Sequence, residues 1–475
     1  VGAQVWSLIS LGVGLNLVLG ALVAAFRLPI YLDSLGTVLV AALAGPGPAV
    51  LTGACGVALL GLTNPVAIAF IPVAALVGCL AGVAARCKGG CFRRGWTATL
   101  VGALVGCLAA LVSAPIAAVL FGGVTGGGTD LMVALFRAGG LSTLQAALGQ
   151  SLAVDPLDKA VTFGLVYSLL QALPGRTRGA FPLAEKLAGD GSQSTSHHPY
   201  RAQQVPLPGR IRERPSTTAT GLPPRLRFPQ AATEWKLLAA LSLVLLAGLG
   251  DSPERLSLAL LIFLAAYLLA APRVTGQIAR RLLPALLPLV VSLVLIHGLV
   301  ARSPEEVRTV WLGLSWSLQG LRDAWLFSLR LALILLSLSM FLSTTPLQRL
   351  AELLLRWRVP YPLVFVMLTG VNLATSLQQR WRLVEQAQQA RGLWLRPSGW
   401  RARVRVLMGL LAPTLGALFD ELPQRSACLQ SRGLLRARPR WAIPASWTGE
   451  PAPTRLGLLF YLALIALAWG GLLWR

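Results

Sequence analysis

The residues of this chain whose type and spacing suit chemistry fall into two groups. Arg391 and Arg432 each stand in a small-Arg-Gly triplet, Ala390-Arg391-Gly392 and Ser431-Arg432-Gly433. A guanidinium stays charged and offers a planar fork of donors that matches a carboxylate. Flanked by small residues it can enter a groove, so this is recognition chemistry rather than catalysis. The second group lies in the first 160 residues: Tyr31, Asp33, Ser34, Asn64, Thr125, Thr129, Asp130, Asp155, Asp158 and Lys159. Polar groups among long apolar runs are costly and tend to mark function. Asp33 and Lys159 are the foremost candidates for ligand contact, while Asp130 and Asp158 also suit helix caps.

Several chemistries are excluded. There is no paired-carboxylate cluster, no His-containing triad and no His-Glu-x-x-His spacing. A phosphate-cradling loop needs Gly-Lys-Ser/Thr, yet the lysines are Lys88, Lys159, Lys186 and Lys236, and none follows a glycine. Cys87 and Cys91 in "CKGGC" are the one close cysteine pair. Without a nearby His, and among Arg86, Lys88, Arg93 and Arg94, they read as part of a reducing cytoplasmic loop. Residues 1–173 hold no histidine, and His297 lies inside an apolar run. No metal site is expected, since nickel or cobalt favour imidazole.

The elements that position these residues follow from composition. Of 475 residues, 55% are hydrophobic and 13% charged, against about 25% charged in soluble proteins. Apolar runs long enough to cross a hydrocarbon core recur, with no alternating barrel pattern. The chain is therefore expected to be all-α and polytopic. Its net charge of +24 reports cytoplasmic Lys and Arg rather than nucleic-acid binding.

Three regions are expected. Residues 1–173 form a first block with spans near 5–26, 31–44, 49–62, 66–86, 97–121 and 157–173, and a separate amphipathic piece at 131–153. The run 5–26 reads as a retained span, without a cleavage site behind it. The basic clusters at 86–94 and at Arg176 and Arg178 place both ends of this block inside, leaving loops 27–34, 62–66 and 122–156 outside. Residues 174–232, with nine prolines, nine Lys or Arg and three acids, form a cytoplasmic linker that cannot bury a core; His197 and His198 fall there. Residues 233–475 form a second block with spans near 233–250, 255–272, 281–301, 324–343 and 455–474, joined by a basic inner turn at 273–281 and an outer loop at 302–323.

Residues 346–440 carry 15 Arg and four acids, so no span is expected there. They do hold two helical patterns, 363–392 and 403–433, each mostly apolar, then polar, then ending in Arg-Gly. Gly392 and Gly433 suit helix stops, and Arg391 and Arg432 suit the negative end of the helix dipole.

Paired cytoplasmic helices ending in this triplet resemble the transmembrane T component of energy-coupling factor transporters. "SLRLALILLSLSMFLSTTPLQRLAELL" (328–354) and "VPYP" (359–362) are similar to that family too, and the resemblance covers about 233–440. Ser431 stands where the family has Ala. The resemblance implies two coupling helices that dock, through Ala390, Arg391, Gly392, Ser431, Arg432 and Gly433, onto two ATP-binding cassette ATPase subunits. This chain would then be a non-catalytic transporter subunit with no cofactor, ATP and Mg belonging to its partners.

The first block, with short Gly/Ala-rich spans and "LPIYLDSLGTVLVAALAGPGPAVLTG" (28–53), resembles the substrate-binding S component of the same transporters, giving a six-helix bundle fused to the T-like domain. That implies capture of a small organic micronutrient, such as a water-soluble vitamin, through Tyr31, Asp33, Ser34, Asn64, Thr125, Asp130, Asp158 and Lys159. It also implies a module interface at Gly20, Ala21, Ala24 and Ala25, where small residues four apart allow close packing in lipid. The expected location is the prokaryotic plasma membrane. The competing class is a ligand-binding membrane sensor or scaffold that recruits cytoplasmic partners or anionic lipid through its basic face.

Overall fold

The computed structural model describes residues 2–26, 32–61, 64–87, 90–125, 130–172, 233–250, 252–270, 272–298, 307–311, 314–390, 400–431 and parts of 460–469. Seven α-helices make the first block: α1 (Ala3–Phe26), α2 (Leu35–Ala44), α3 (Pro46–Leu60), α4 (Ile71–Arg86), α5 (Gly95–Phe121), α6 (Asp130–Ala138) and α7 (Thr143–Ala172). The second block holds α8 (Thr233–Leu249), α9 (Pro253–Ala270), α10 (Pro272–Gly298), α11 (Leu318–Thr344), α12 (Leu347–Arg356), α13 (Tyr361–Ala390) and α14 (Trp400–Ser431). An antiparallel hairpin, β1 (Val307–Trp311) with β2 (Leu314–Ser317), precedes α11. It is the one sheet among the described residues.

Among the described residues, five helical segments are long and apolar enough to cross a membrane: Ala3–Gly20, Val66–Arg86, Gly95–Phe121, Gln319–Thr344 and Tyr361–Ala390. Burial along them shows which faces look outward. On α5, Leu100, Leu104, Leu108, Leu111 and Val119 are exposed, while Gly102, Ala109, Ala110 and Ala117 are buried. Large apolar side chains outside and small ones inside is the inverse of a soluble helix, and it suits a lipid-facing surface. The chain is an all-α, multi-pass membrane protein, with the small hairpin as an addition.

Four expectations need correction. The span near 31–44 is a ten-residue helix, wholly buried. At 1.5 Å per residue it reaches about 15 Å, half a hydrocarbon core. Gly45, at φ +88°, turns α2 straight into α3, which opens on Pro46; a side chain there would be strained, and proline suits a first helical turn. Residues 131–153 are not one piece, because the turn at Gly139–Gly140 ends α6 and α7 then runs unbroken through Pro156 to Ala172. The basic turn at 273–281 is helical, since Pro272 opens α10 just after Ala270 closes α9. Finally, Tyr361–Ala390 meets the length and hydropathy of a span, so 346–440 is not devoid of one; its arginines crowd the second half of that helix and the stretch beyond it. Most of the expected last span, 455–474, lies outside the described residues.

The core of the first block is continuous with the second. Leu8, Leu11, Val13 and Leu15 of α1 pack with Val366, Ala374, Leu377 and Trp381 of α13 and with Val406, Leu410, Leu418 and Leu422 of α14. Those positions recur at three- and four-residue intervals along both long helices, one apolar stripe each.

Candidate ligand cavity and coupling helices

A cavity of about 300 Å³ lies within the first block. Its wall combines apolar side chains, Val57, Leu60, Phe70, Val73 and Val77 among them, with the polar Asn16, Thr37, Ser113, Gln150 and Ser151 and the charged Asp33, Asp155 and Lys159. The three loops that the charge rule puts on the outer side supply Asp33, Asn64 and Thr125 to this one cavity.

Asp155 and Lys159 stand four residues apart on α7 and so share a face. That face is brought in by close packing of α5 on α7. A Cβ at Gly106 would lie 2.5 Å from the Asp155 carbonyl oxygen, and one at Gly102 would lie 2.5 Å from that of Lys159. Only hydrogen fits at both positions.

Lys159 is the hub. Its Nζ donates to Asp158 Oδ2 at 2.7 Å and to Ser34 Oγ at 2.8 Å, and stands 3.8 Å from Asp33 Oδ1. Asp158 also accepts the Leu32 backbone N–H at 3.2 Å and is 1% exposed. Asp155 Oδ2 accepts from Ser113 Oγ at 3.1 Å. Deeper, Asn16 donates to Thr37 Oγ1 at 2.8 Å and accepts the Gly36 N–H at 2.7 Å, tying α1 to α2.

Of the expected substrate residues, Asp33, Ser34, Asn64, Thr125 and Lys159 line the cavity together. Asp158 lies behind the wall, holding Lys159 and the α2 entry in place. Asp130 opens α6 and accepts the Thr125 N–H at 3.1 Å, shaping the loop rather than lining the cavity. Tyr31 falls outside the described residues. Asn16, Thr37, Ser113, Gln150 and Ser151 join the wall without any signal in the sequence. A lone hydroxyl or amide in a Gly/Ala-rich helix carries no spacing pattern, and only Asp155, which opens the same charged turn as Lys159, has one.

The two long helices reach the first residue of each triplet. Ala390 closes α13 and Ser431 closes α14, both exposed, and Ser431 Oγ donates back to the Cys428 carbonyl at 2.9 Å. Arg391, Gly392, Arg432 and Gly433 lie outside the described residues. Ten residues before each closing residue, Arg380 of α13 meets Glu421 of α14 in an ion pair. Arg425 joins Glu421 at 3.0 Å from the next turn. Burial works to raise the Glu421 carboxyl, but the two guanidiniums outweigh it and hold it below its ordinary range.

The two blocks approach each other closely at residues beyond the expected set. Gly20 has only Asp33 within 4 Å of where a Cβ would stand; the side chains of Ala21, Ala24 and Ala25 lie outside the described residues. The close contact is earlier on α1. A Cβ at Gly14 would meet the Leu373 Cβ at 3.0 Å and the Gly370 carbonyl at 3.2 Å, and one at Gly370 would meet Val13 Cγ1 at 2.6 Å. Two glycines facing each other allow the helix backbones to approach. A second junction lies at the other end of α5. There Arg330 of α11, 9% exposed, donates to the Val119 carbonyl at 3.3 Å and the Gly250 carbonyl at 2.9 Å. These carbonyls end α5 and α8, where a helix dipole favours a cation.

Residues 229–436 match the family model described as CbiQ, cobalt transport protein. The matched stretch runs from α8 past the end of α14, so a domain of this transport type, T-component-like, occupies the second block. No curated protein matches the chain.

Proposed function

We propose that this chain is the membrane subunit of an energy-coupling-factor-type importer, in which the first block captures a small organic micronutrient and the second couples uptake to separate ATPase subunits. The observation that carries this reading is the packing of α1, which lends Asn16 to the cavity, directly against α13 and α14. A movement of the two long helices therefore reaches the ligand site through one shared helix. A rigid-body shift of packed helices is a known route for such transmission.

In this reading the chain does no bond chemistry. The cavity binds and orients, while Arg391 and Arg432 dock into grooves on the ATPases, paired with carboxylates there. The Arg380–Glu421–Arg425 brace keeps the two tips at a set separation. The 174–232 segment keeps the blocks at high effective concentration. The site of action is the prokaryotic plasma membrane.

The test replaces Arg391 and Arg432 together by Ala in the full chain. Loss of ATPase co-purification, or ATP hydrolysis without uptake, is the expected result. Unchanged assembly with unchanged uptake would overturn the proposal.

A further inference from the structure

We infer that the cavity takes an organic cation: a small molecule with a protonated or quaternary nitrogen seated against Asp155 and Asp33, and an apolar body against Phe70 and Val77. The inference rests on the reading of the first block as the capture half, and narrows its substrate class.

The charge count carries it. Asp33, Asp155 and Lys159 line the cavity and Asp158 joins them through Lys159, three carboxylates against one ammonium. The ammonium is already engaged. Its shortest contact, 2.7 Å, is with Asp158, which is sealed behind the wall. Asp33 stands 3.8 Å from the same nitrogen and keeps 38% of its side chain exposed. None of the ion pairs among the described residues engages Asp155, which instead accepts from a neutral hydroxyl, Ser113. Both cavity-lining carboxylates therefore retain acceptor capacity toward the interior. Three carboxylates around one ammonium leave the group net negative, which is expensive at membrane depth, and a ligand cation beside Asp155 and Asp33 relieves that cost.

The dimensions favour an organic ion over a bare metal. A hard cation wants six or more oxygens at 2.0–2.6 Å, and a volume of about 300 Å³ holds roughly ten waters at about 30 Å³ each. Among the described residues no three His, Cys, Asp or Glu side chains converge in metal-ligand fashion. The apolar part of the wall is the surface that a ring or alkyl body needs. An anionic ligand would face Asp33 and Asp155 with only a lysine already committed to Asp158.

The experiment measures ligand-induced thermal stabilisation of the detergent-purified full chain. The probes are N-methylnicotinamide, nicotinamide and nicotinate as a matched set of cation, neutral and anion. Choline and thiamine are added as further cations, biotin and pantothenate as further anions, and NaCl and MgCl2 as inorganic controls. The expected result is stabilisation by one or more organic cations and by no anion. Asp155→Asn weakens that binding about 10- to 100-fold, the scale of one charge-assisted contact, and Asp33→Asn, at a half-exposed position, weakens it less. Asp33→Asn also serves as the binding variant if Asp155→Asn does not elute as a folded species. Stabilisation by biotin, pantothenate or nicotinate, or binding indifferent to both substitutions, overturns the inference and leaves the importer reading standing. Stabilisation by the salts alone overturns it in favour of an inorganic ion. A response to no probe of either kind sinks the capture reading together with this one.

Discussion

Gly370→Val is the sharpest test of how the two blocks hold together. A Cβ there would sit 2.6 Å from Val13 Cγ1, where ordinary contact is about 3.5–4.0 Å, so something must give by about an ångström. Val13 is fully buried and β-branched, and in a helix it has one strongly preferred rotamer. It cannot swing aside, and the helix axes must part. Overpacking of this kind costs about 1–3 kcal/mol, or about 5- to 150-fold in the association of the blocks. Val and Gly differ by only a few tenths of a kcal/mol in intrinsic helix propensity, so the change reports on the contact. The tether would mask the loss, and it has to be cut. A protease site placed within 174–232, followed by size exclusion over a dilution series, reads association directly. Cut wild-type halves should co-elute, and the variant's halves should separate at concentrations where wild type does not. Gly409→Val is the control, because a Cβ at Gly409 meets nothing within 4 Å. If cut Gly370→Val halves co-elute as tightly as wild type, α1 and α13 do not form the junction between the blocks.

Two further outcomes follow from the ion pairs. Glu421, with its carboxyl held below an ordinary value near 4.5, contributes stability that is present above that value and lost as pH falls through the lowered one. Thermal unfolding of wild type should therefore be flat from about pH 5.5 to 8 in this contribution and fall below about pH 4.5. Glu421→Gln should remove that acid-side drop, and its persistence unchanged would show the brace is not formed. Lys159→Met strands Asp158 without its cation in a sealed position and should cost about 3–5 kcal/mol in chemical denaturation. Lys159→Met with Asp158→Leu should recover part of that loss; no recovery in the double variant would show that the two side chains are not energetically coupled.

Much of the fold was legible where local chemistry punctuates the chain. Gly45-Pro46 marks a turn between two helices, because a positive φ at glycine and a fixed φ at proline are properties of single residues. The loops at 27–34, 62–66 and 122–156 were legible as a set because charge asymmetry acts on whole loops, and Asp33, Asn64 and Thr125 from them line one cavity. The features hidden from the sequence are non-local. Gly14 and Gly370 are separated by most of the chain, and each alone is one glycine among 48. Asn16 and Ser113 look like stray polar residues until α2 and α7 are laid against them. The hairpin at 307–317 carries a short alternation, Val-Arg-Thr-Val-Trp, but a five-residue strand in a helical protein has too little periodicity to stand out. Arg330 was visible as a charge in an apolar run; its partners were not, because backbone carbonyls leave no mark in a sequence.

Arg330 has a mechanical consequence when set beside Gly14. The first block meets the second along a seam of glycine and valine and again where a cation ties the end of α5 to the end of α8, and Val66, Phe121 and Val124 pack with Leu289, Leu293 and Leu331 as well. A toppling of the first block has to take the Val119 carbonyl off the guanidinium, while the bond to Gly250 lies within the second block and keeps Arg330 seated to receive it again.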